Sequence, residues 1–235
     1  MSEAAVGRET QAIRLPLVEI FETVEGEGTQ AGYPTVFVRL FGCPLRCVWC
    51  DTPYSYAPAK AEFTMTIEQI VLRVASFKAA RVCLTGGEPL MYHEHSAALL
   101  RALSELPRLV DVHVETSGAI DLTSFLKDVR SSKVRYIVDY KLKESGETAK
   151  MIAANFTVLR PQDELKFVIA SDADFDEAMA VLDRFHPLCT VLVSPVFGAM
   201  EPEHLVDRLL KEGRPHVKLN LQIHKVIWDP NQRGV

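Results

Sequence analysis

Seven short apolar runs recur along the 235-residue chain, at 35–40, 82–85, 112–115, 136–139, 165–169, 190–194 and, more weakly, 217–221. A helical pattern fills each gap between them, at 66–79, 95–106, 121–128, 148–154, 174–185 and 202–211. Strands that alternate with helices in this way pair in parallel through right-handed crossovers. The runs are rich in Val, Ile and Leu, as strands buried on both faces should be. Thr66 with Gln69 reads as a capping box, and Pro202 suits the first turn of its helix. The expected fold is α/β, an open or incomplete (β/α) barrel with its site at the C-terminal ends of the strands. No linker interrupts the pattern, so 1–235 is expected to form a single domain, with 1–14 as a flexible extension. The polar segment 140–148, which includes Gly146, reads as a mobile loop.

Composition excludes several classes of function. Hydrophobic residues make up 48% and charged residues 24%, ordinary for a globular chain. The formal net charge is −5 and no Lys/Arg run exists, so no nucleic-acid footprint is expected. No apolar stretch reaches the length of a membrane span, and 1–10 lacks a signal-peptide core. Five cysteines, three of them clustered, point to a reducing cytoplasm. Cys83 and Cys189 sit in or beside apolar runs and read as small core residues.

The clustered three are Cys43, Cys47 and Cys50, spaced C-x3-C-x2-C. Three thiolates this close can hold three irons of a [4Fe–4S] cluster and leave the fourth open. Radical S-adenosylmethionine (SAM) enzymes need that arrangement, because SAM chelates the open iron and its sulfonium bond is then broken to give a 5′-deoxyadenosyl radical. Structural zinc wants four ligands, and three clustered cysteines leave a disulfide with one thiol over. Trp49 beside the last cysteine can help to keep water off a cluster.

Unusual residues gather at the ends of the expected strands. Thr85-Gly86-Gly87-Glu88-Pro89 leaves backbone groups open to an amino-acid ligand, since glycine carries no Cβ. Glu115-Thr116-Ser117-Gly118 offers a carboxylate for ribose hydroxyls, or a plain turn. Asp139-Tyr140-Lys141 and Ser194-Pro195 close two more runs. Val24-Glu25-Gly26-Glu27-Gly28 reads first as a turn. Arg39 lies inside an apolar run, where a charge needs a partner. It could hold a ligand carboxylate through two hydrogen bonds, or pair with Glu25 or Glu27. Asp51-Thr52 reads as a helix cap or as oxygen ligands for Mg²⁺. His224, at the end of the last run, is a lone histidine of weak signal.

Together, VEGEG (24–28), FVRLFGCPLRCVWCDT (37–52), TGGEP (85–89), VETSG (114–118) and LQIHK (221–225) resemble the 7-carboxy-7-deazaguanine synthase family. The likeness runs from about residue 17 to the C-terminus. It implies a modified, incomplete barrel of the radical SAM type, commonly a homodimer, using a [4Fe–4S] cluster, SAM and Mg²⁺. The implied reaction turns 6-carboxy-5,6,7,8-tetrahydropterin into 7-carboxy-7-deazaguanine with loss of ammonia, towards queuosine and other deazapurines. An electron donor such as flavodoxin or ferredoxin is implied as a partner. Carried over by residue, Cys43, Cys47 and Cys50 bind the cluster and Thr52 binds Mg²⁺. Trp49, Cys50, Asp51, Gly86, Gly87, Glu115, Lys141 and Ser194 meet SAM. Val24, Glu25, Gly26, Arg39, Thr85 and His224 meet the substrate. The chain departs from many relatives at Glu25, where they have Gln, and at Asp139-Tyr140-Lys141, where they have Ser-Pro-Lys. Two other classes share the cysteine run: an activase that places a radical on a partner protein, and a non-enzymatic zinc or iron–sulfur module.

Overall fold

A computed structural model describes residues 14–230 and 232–235. The extension expected over 1–14 lies outside the described residues, save Arg14, which opens the first strand. Nine strands form one sheet in the order β3-β1-β2-β4-β5-β6-β7-β8-β9. From β2 (Pro34–Leu40) the sheet is parallel, through β4 (Arg81–Gly86), β5 (Asp111–Thr116), β6 (Val134–Tyr140), β7 (Glu164–Ile169), β8 (Thr190–Pro195) and β9 (Val217–Leu219). These are the seven expected runs. Two further strands are antiparallel: β1 (Arg14–Val24), which pairs with β2, and β3 (Phe63–Thr66), which pairs with the start of β1. Pro16 and the charges at Glu19 and Glu22 break the apolar pattern that would have marked β1.

The helices fall close to their expected positions: α1 (Ile67–Ala75), α2 (Glu94–Ser104), α3 (Thr123–Asp128), α5 (Asp172–Phe185) and α6 (Pro202–Glu212). The Thr66–Gln69 capping box forms, and Pro202 stands in the first turn of α6. The pattern at 148–154 is not one helix. It splits into a 3₁₀ turn (Thr148–Lys150) and the short α4 (Ala153–Thr157). A last turn, α7 (His224–Ile227), follows β9.

The two faces of the sheet differ in chemistry, which corrects the expectation of apolar burial on both sides. Val82 and Leu84, Val112 and Val114, and Leu165 and Phe167 belong to the apolar core. Their neighbours in sequence point the other way, because side chains alternate along a strand. That inner face reads Cys83 and Thr85, then His113 and Glu115, Arg135 and Asp139, Glu164 and Lys166. Cys83, His113 and Glu164 are fully buried there. Cys189 lies in the apolar core as expected, whereas Cys83 is buried outside it, on the polar face.

The turn after β1 crosses beneath this inner face. Gly28 N–H donates to Asn220 Oδ1 at 2.7 Å, and Lys218 Nζ donates to the Gly28 carbonyl at 3.2 Å. It thus bridges from β1 to the region of β9 and floors the open barrel. The segment 140–148 also packs down: Val48 N–H donates to the Ser145 carbonyl at 3.1 Å and Arg46 N–H to Glu147 at 2.5 Å. Those bonds tie it to the cysteine loop.

Candidate active site

The C-terminal ends of the parallel strands open into a cavity of about 800 Å³. Volumes of this size hold small molecules. Cys43, Cys47 and Cys50 form one wall, on the loop that leaves β2. All three are free and part-buried. Burial pushes the Cys43 thiol up to about 11 and raises Cys47 as well. Thiols held up in this way shed their protons on meeting a metal. Three thiols on one wall fit a cluster with one open iron.

The glycines of the Gly86-Gly87 turn serve the protein first. A Cβ on Gly87 would lie 2.2 Å from the Gly42 carbonyl oxygen, and one on Gly86 would lie 2.2 Å from that of Leu40. Glu88 N–H donates to the Gly42 carbonyl at 2.7 Å. The cysteine loop therefore lies directly on this turn. Glu88 is fully buried, and its carboxylate accepts from Thr116 Oγ1 at 2.9 Å, Ser117 N–H at 2.7 Å, Leu90 N–H at 3.0 Å and Ser117 Oγ. So the TGGEP and VETSG motifs are one hydrogen-bonded unit that seats the cysteine wall.

Arg39 and Thr85 line the same cavity. Arg39 pairs through Nε with Glu19 Oε1 at 2.7 Å, not with Glu25 or Glu27. The register explains this, since Glu19 stands directly across from Arg39 on β1. Among the described residues no other hydrogen bond or ion pair meets the Arg39 guanidinium. Burial pulls the guanidinium's pKa down, but the charges of Tyr54 and Glu19 outweigh it and raise the value. Phe37 shares the inner face with Arg39 and stacks on Phe21, with centroids 5.3 Å apart. The pair adds a flat apolar wall.

Glu115 accepts from Thr85 Oγ1 at 3.1 Å, and burial raises its pKa. Thr85, read for the substrate, and Glu115, read for SAM, are therefore direct neighbours in the cavity. Lys166 crosses the floor to Glu27 at 3.1 Å. Burial pushes Glu27 up, but the Lys166 charge and the Gln222 hydrogen bond hold it down to about 2. Asp139 Oδ2 accepts from Lys141 Nζ at 2.6 Å, while its Oδ1 is buried with no protein partner among the described residues. Tyr140, between them, points to the helices and packs against Phe156 and Phe167.

The turn after β1 meets the segment after β9 at the mouth. The Ile223 N–H donates to the Gly26 carbonyl at 3.0 Å. His224 packs where a Cβ on Gly26 would be, 2.2 Å from its Nδ1. Gln222 Nε2 donates to Glu27 at 2.7 Å and Lys225 Nζ to Asp51 at 3.1 Å. Burial lowers the His224 pKa.

Val24, Glu25, Gly26, Trp49, Asp51, Thr52 and His224 also line the cavity. Ser194 does not. It is buried beneath the floor, accepting from Asn220 Nδ2 at 2.8 Å. Sequence reading missed Phe21, Phe37, Glu27, Lys166, Tyr54 and the C-terminal Arg233 among the wall residues. Alternation with Arg39 would have found Phe37.

Comparison with known proteins agrees with this geometry. A family model, the Radical SAM superfamily, matches residues 38–213. The 7-carboxy-7-deazaguanine synthase of Clostridium acetobutylicum is 36% identical over 93% of this chain and 98% of its own. That of Chlorobaculum tepidum is 39% identical over 94% of this chain and 97% of its own. The chain belongs to the 7-carboxy-7-deazaguanine synthase family. It is therefore a radical SAM enzyme of deazapurine biosynthesis, using a [4Fe–4S] cluster and SAM. The fold agrees too. The crystal structure of QueE from Escherichia coli matches with a TM-score of 0.68 at 22% identity, covering 94% of this chain and 98% of that one. No helix among the described residues is long and apolar enough to cross a membrane.

Proposed function

We propose that this enzyme converts 6-carboxy-5,6,7,8-tetrahydropterin to 7-carboxy-7-deazaguanine with loss of ammonia. One observation carries the reading: the three cysteines share a single cavity with Arg39, Thr85, Glu115 and the Glu25–Glu27 turn. A ligand held by the second group would share the cavity with a cluster held by the first.

The cluster and SAM, when bound, supply a carbon-centred radical that takes a hydrogen atom from the substrate. The chain's own residues do the rest: they bind, orient and exclude water. Arg39 suits the substrate carboxylate, because its fork can donate to two oxygens and its Nε is already fixed by Glu19. Phe21 and Phe37 suit a flat ring. Glu27 and Glu115 offer carboxyl groups to the amino-pyrimidinone edge. Cys43, Cys47 and Cys50 would hold the cluster; Trp49, Asp51, Gly87 and Lys141 would meet SAM.

Thr52 would meet Mg²⁺. Its hydroxyl does not cap the 3₁₀ turn it precedes. It accepts from Ser55 Oγ at 3.2 Å and lies 4.0 Å from Cys50 Sγ. An electron donor such as flavodoxin or ferredoxin, a homodimeric assembly and a cytoplasmic location belong to the same reading.

The direct test is anaerobic reconstitution with iron and sulfide, then mass spectrometry of products from SAM, reductant and the carboxy-tetrahydropterin. Formation of 7-carboxy-7-deazaguanine is expected. SAM cleavage without that product would refute the substrate, and a colourless zinc protein would refute the class.

Two variants check the assigned contacts. Arg39→Ala and Arg39→Lys are both expected to lose about 2–5 kcal/mol in kcat/KM, since an ammonium cannot reproduce the planar fork. Glu19→Gln, which leaves the guanidinium in place, should lose far less. Turnover of Arg39→Ala at the wild-type level would remove this role. Thr52→Ala is expected to reduce the gain in rate on adding Mg²⁺ while its melting temperature barely moves. A lost helix cap would instead cost about 0.5–2 kcal/mol of stability and leave the Mg²⁺ titration unchanged.

A further inference from the structure

Beneath the cavity, the inner face of the sheet carries a charged line that the reading above leaves unused. His113 on β5 is fully buried. Its Nε2 lies 2.7 Å from Glu25 Oε2, and its Nδ1 lies 2.6 Å from Asp111 Oδ2. An imidazole between two carboxylates serves both only when both of its nitrogens carry protons. The line continues across the sheet. Asp111 Oδ1 accepts from Arg135 Nε at 2.6 Å, and Arg135 Nη1 donates to Glu164. Glu164 in turn accepts from the Thr29 hydroxyl. Glu25 and Thr29 are the two ends of one turn. A row of alternating charges on β5, β6 and β7 thus grips that turn at both ends. Within the turn, Glu25 Oε1 accepts from Gly26 N–H at 3.0 Å and Glu27 N–H at 3.3 Å.

We infer that His113 is a positioning residue of this enzyme, a buried cation that anchors Glu25 and so holds Gly26 and Glu27 in the cavity floor. The inference rests on the reading that this turn meets the substrate. Glu25 is itself buried, and a buried carboxylate needs a counter-charge that an amide would not. The groups facing His113 are Glu25 from the turn, Cys83 from β4, and Asp111 and Glu115 from β5. Burial alone would push the imidazolium pKa down, yet Cys83, Asp111 and Glu25 hold it well above the usual value for histidine.

The test uses the reconstituted enzyme with His113→Gln, Glu25→Gln and the double variant. In His113→Gln, KM for the carboxy-tetrahydropterin is expected to rise by about tenfold or more, with kcat changed much less. Iron content should stay at the wild-type level. Amide hydrogen exchange over 25–30 should accelerate. The double variant removes the stranded charge together with its lost partner, so exchange over 25–30 should return towards wild type. A residue that merely fills space would give no such rescue. Wild-type exchange in His113→Gln, or a double variant no better than the single, overturns the inference. So does a stoichiometric zinc in the wild-type protein that His113→Gln lacks, because Glu25, Cys83 and His113 place ligand atoms within 4.8 Å of one another. The exchange arm needs no substrate. Should the wild type form no product from the pterin, that failure belongs to the proposed reaction, and exchange alone decides the role of His113.

Discussion

Cys43→Ala, Cys47→Ala and Cys50→Ala are each expected to lose the cluster and all turnover, while Cys83→Ala and Cys189→Ala keep both iron and colour. The three share one cavity wall and no other cysteine does. Each would supply one iron with its only protein ligand, so losing one leaves two thiolates for a four-iron cluster. Cys83 is fully buried on β4, on the sheet's inner face, and Cys189 lies in the apolar core. Buried away from the cavity wall, neither thiol is placed to meet a cluster held by the other three. Iron analysis and visible absorbance after anaerobic reconstitution decide the matter. A Cys47→Ala protein that retains a full cluster would break the assignment.

Gly87→Ala should be nearly as damaging, although it removes no ligand. The new Cβ would meet the backbone of Gly42, at 2.2 Å from its oxygen and 2.6 Å from its carbon, and Cys43 Cβ at 2.8 Å. Backbone atoms cannot rotate away as a side-chain tip can. The cysteine loop must lift, and the hydrogen bond from Glu88 N–H to the Gly42 carbonyl goes with it. A ligand misplaced by about 1 Å can cost about a hundredfold in rate, so turnover should fall by at least that much, with reduced iron loading. Gly213→Ala is the control. Gly213, unlike Gly87, has a positive φ, but its Cβ would meet nothing within 4 Å. It should cost about 1–2 kcal/mol of stability and leave the iron content alone. Equal iron loading in the two variants would refute the seat proposed for the loop.

Much of the frame was legible from spacing. The seven parallel strands, the capping box at Thr66 and the first turn at Pro202 are each set by residues only a few positions apart. The site motifs were legible for a similar reason, because TGGEP, VETSG and the cysteine run sit at strand ends where backbone groups are unpaired. β1 and β3 were not. Their pairing is antiparallel and long-range, and Pro16 with Glu19 blurs the pattern.

Local patterning is enough to say which residues end each strand and that three thiols could meet at one metal cluster. Who faces whom was settled by the assembled sheet. Arg39 could have paired with Glu25 or Glu27, but the β1–β2 register puts Glu19 across from it. Ser194 ends its strand as Thr85 does, yet Asn220 covers it beneath the floor. Gly26 and His224, far apart in sequence, came together only because the sheet stays open and the turn after β1 bridges its gap. Local chemistry is written within a few residues. Contacts across strands depend on register and on the order of the sheet, and both are set by the packing of the whole chain.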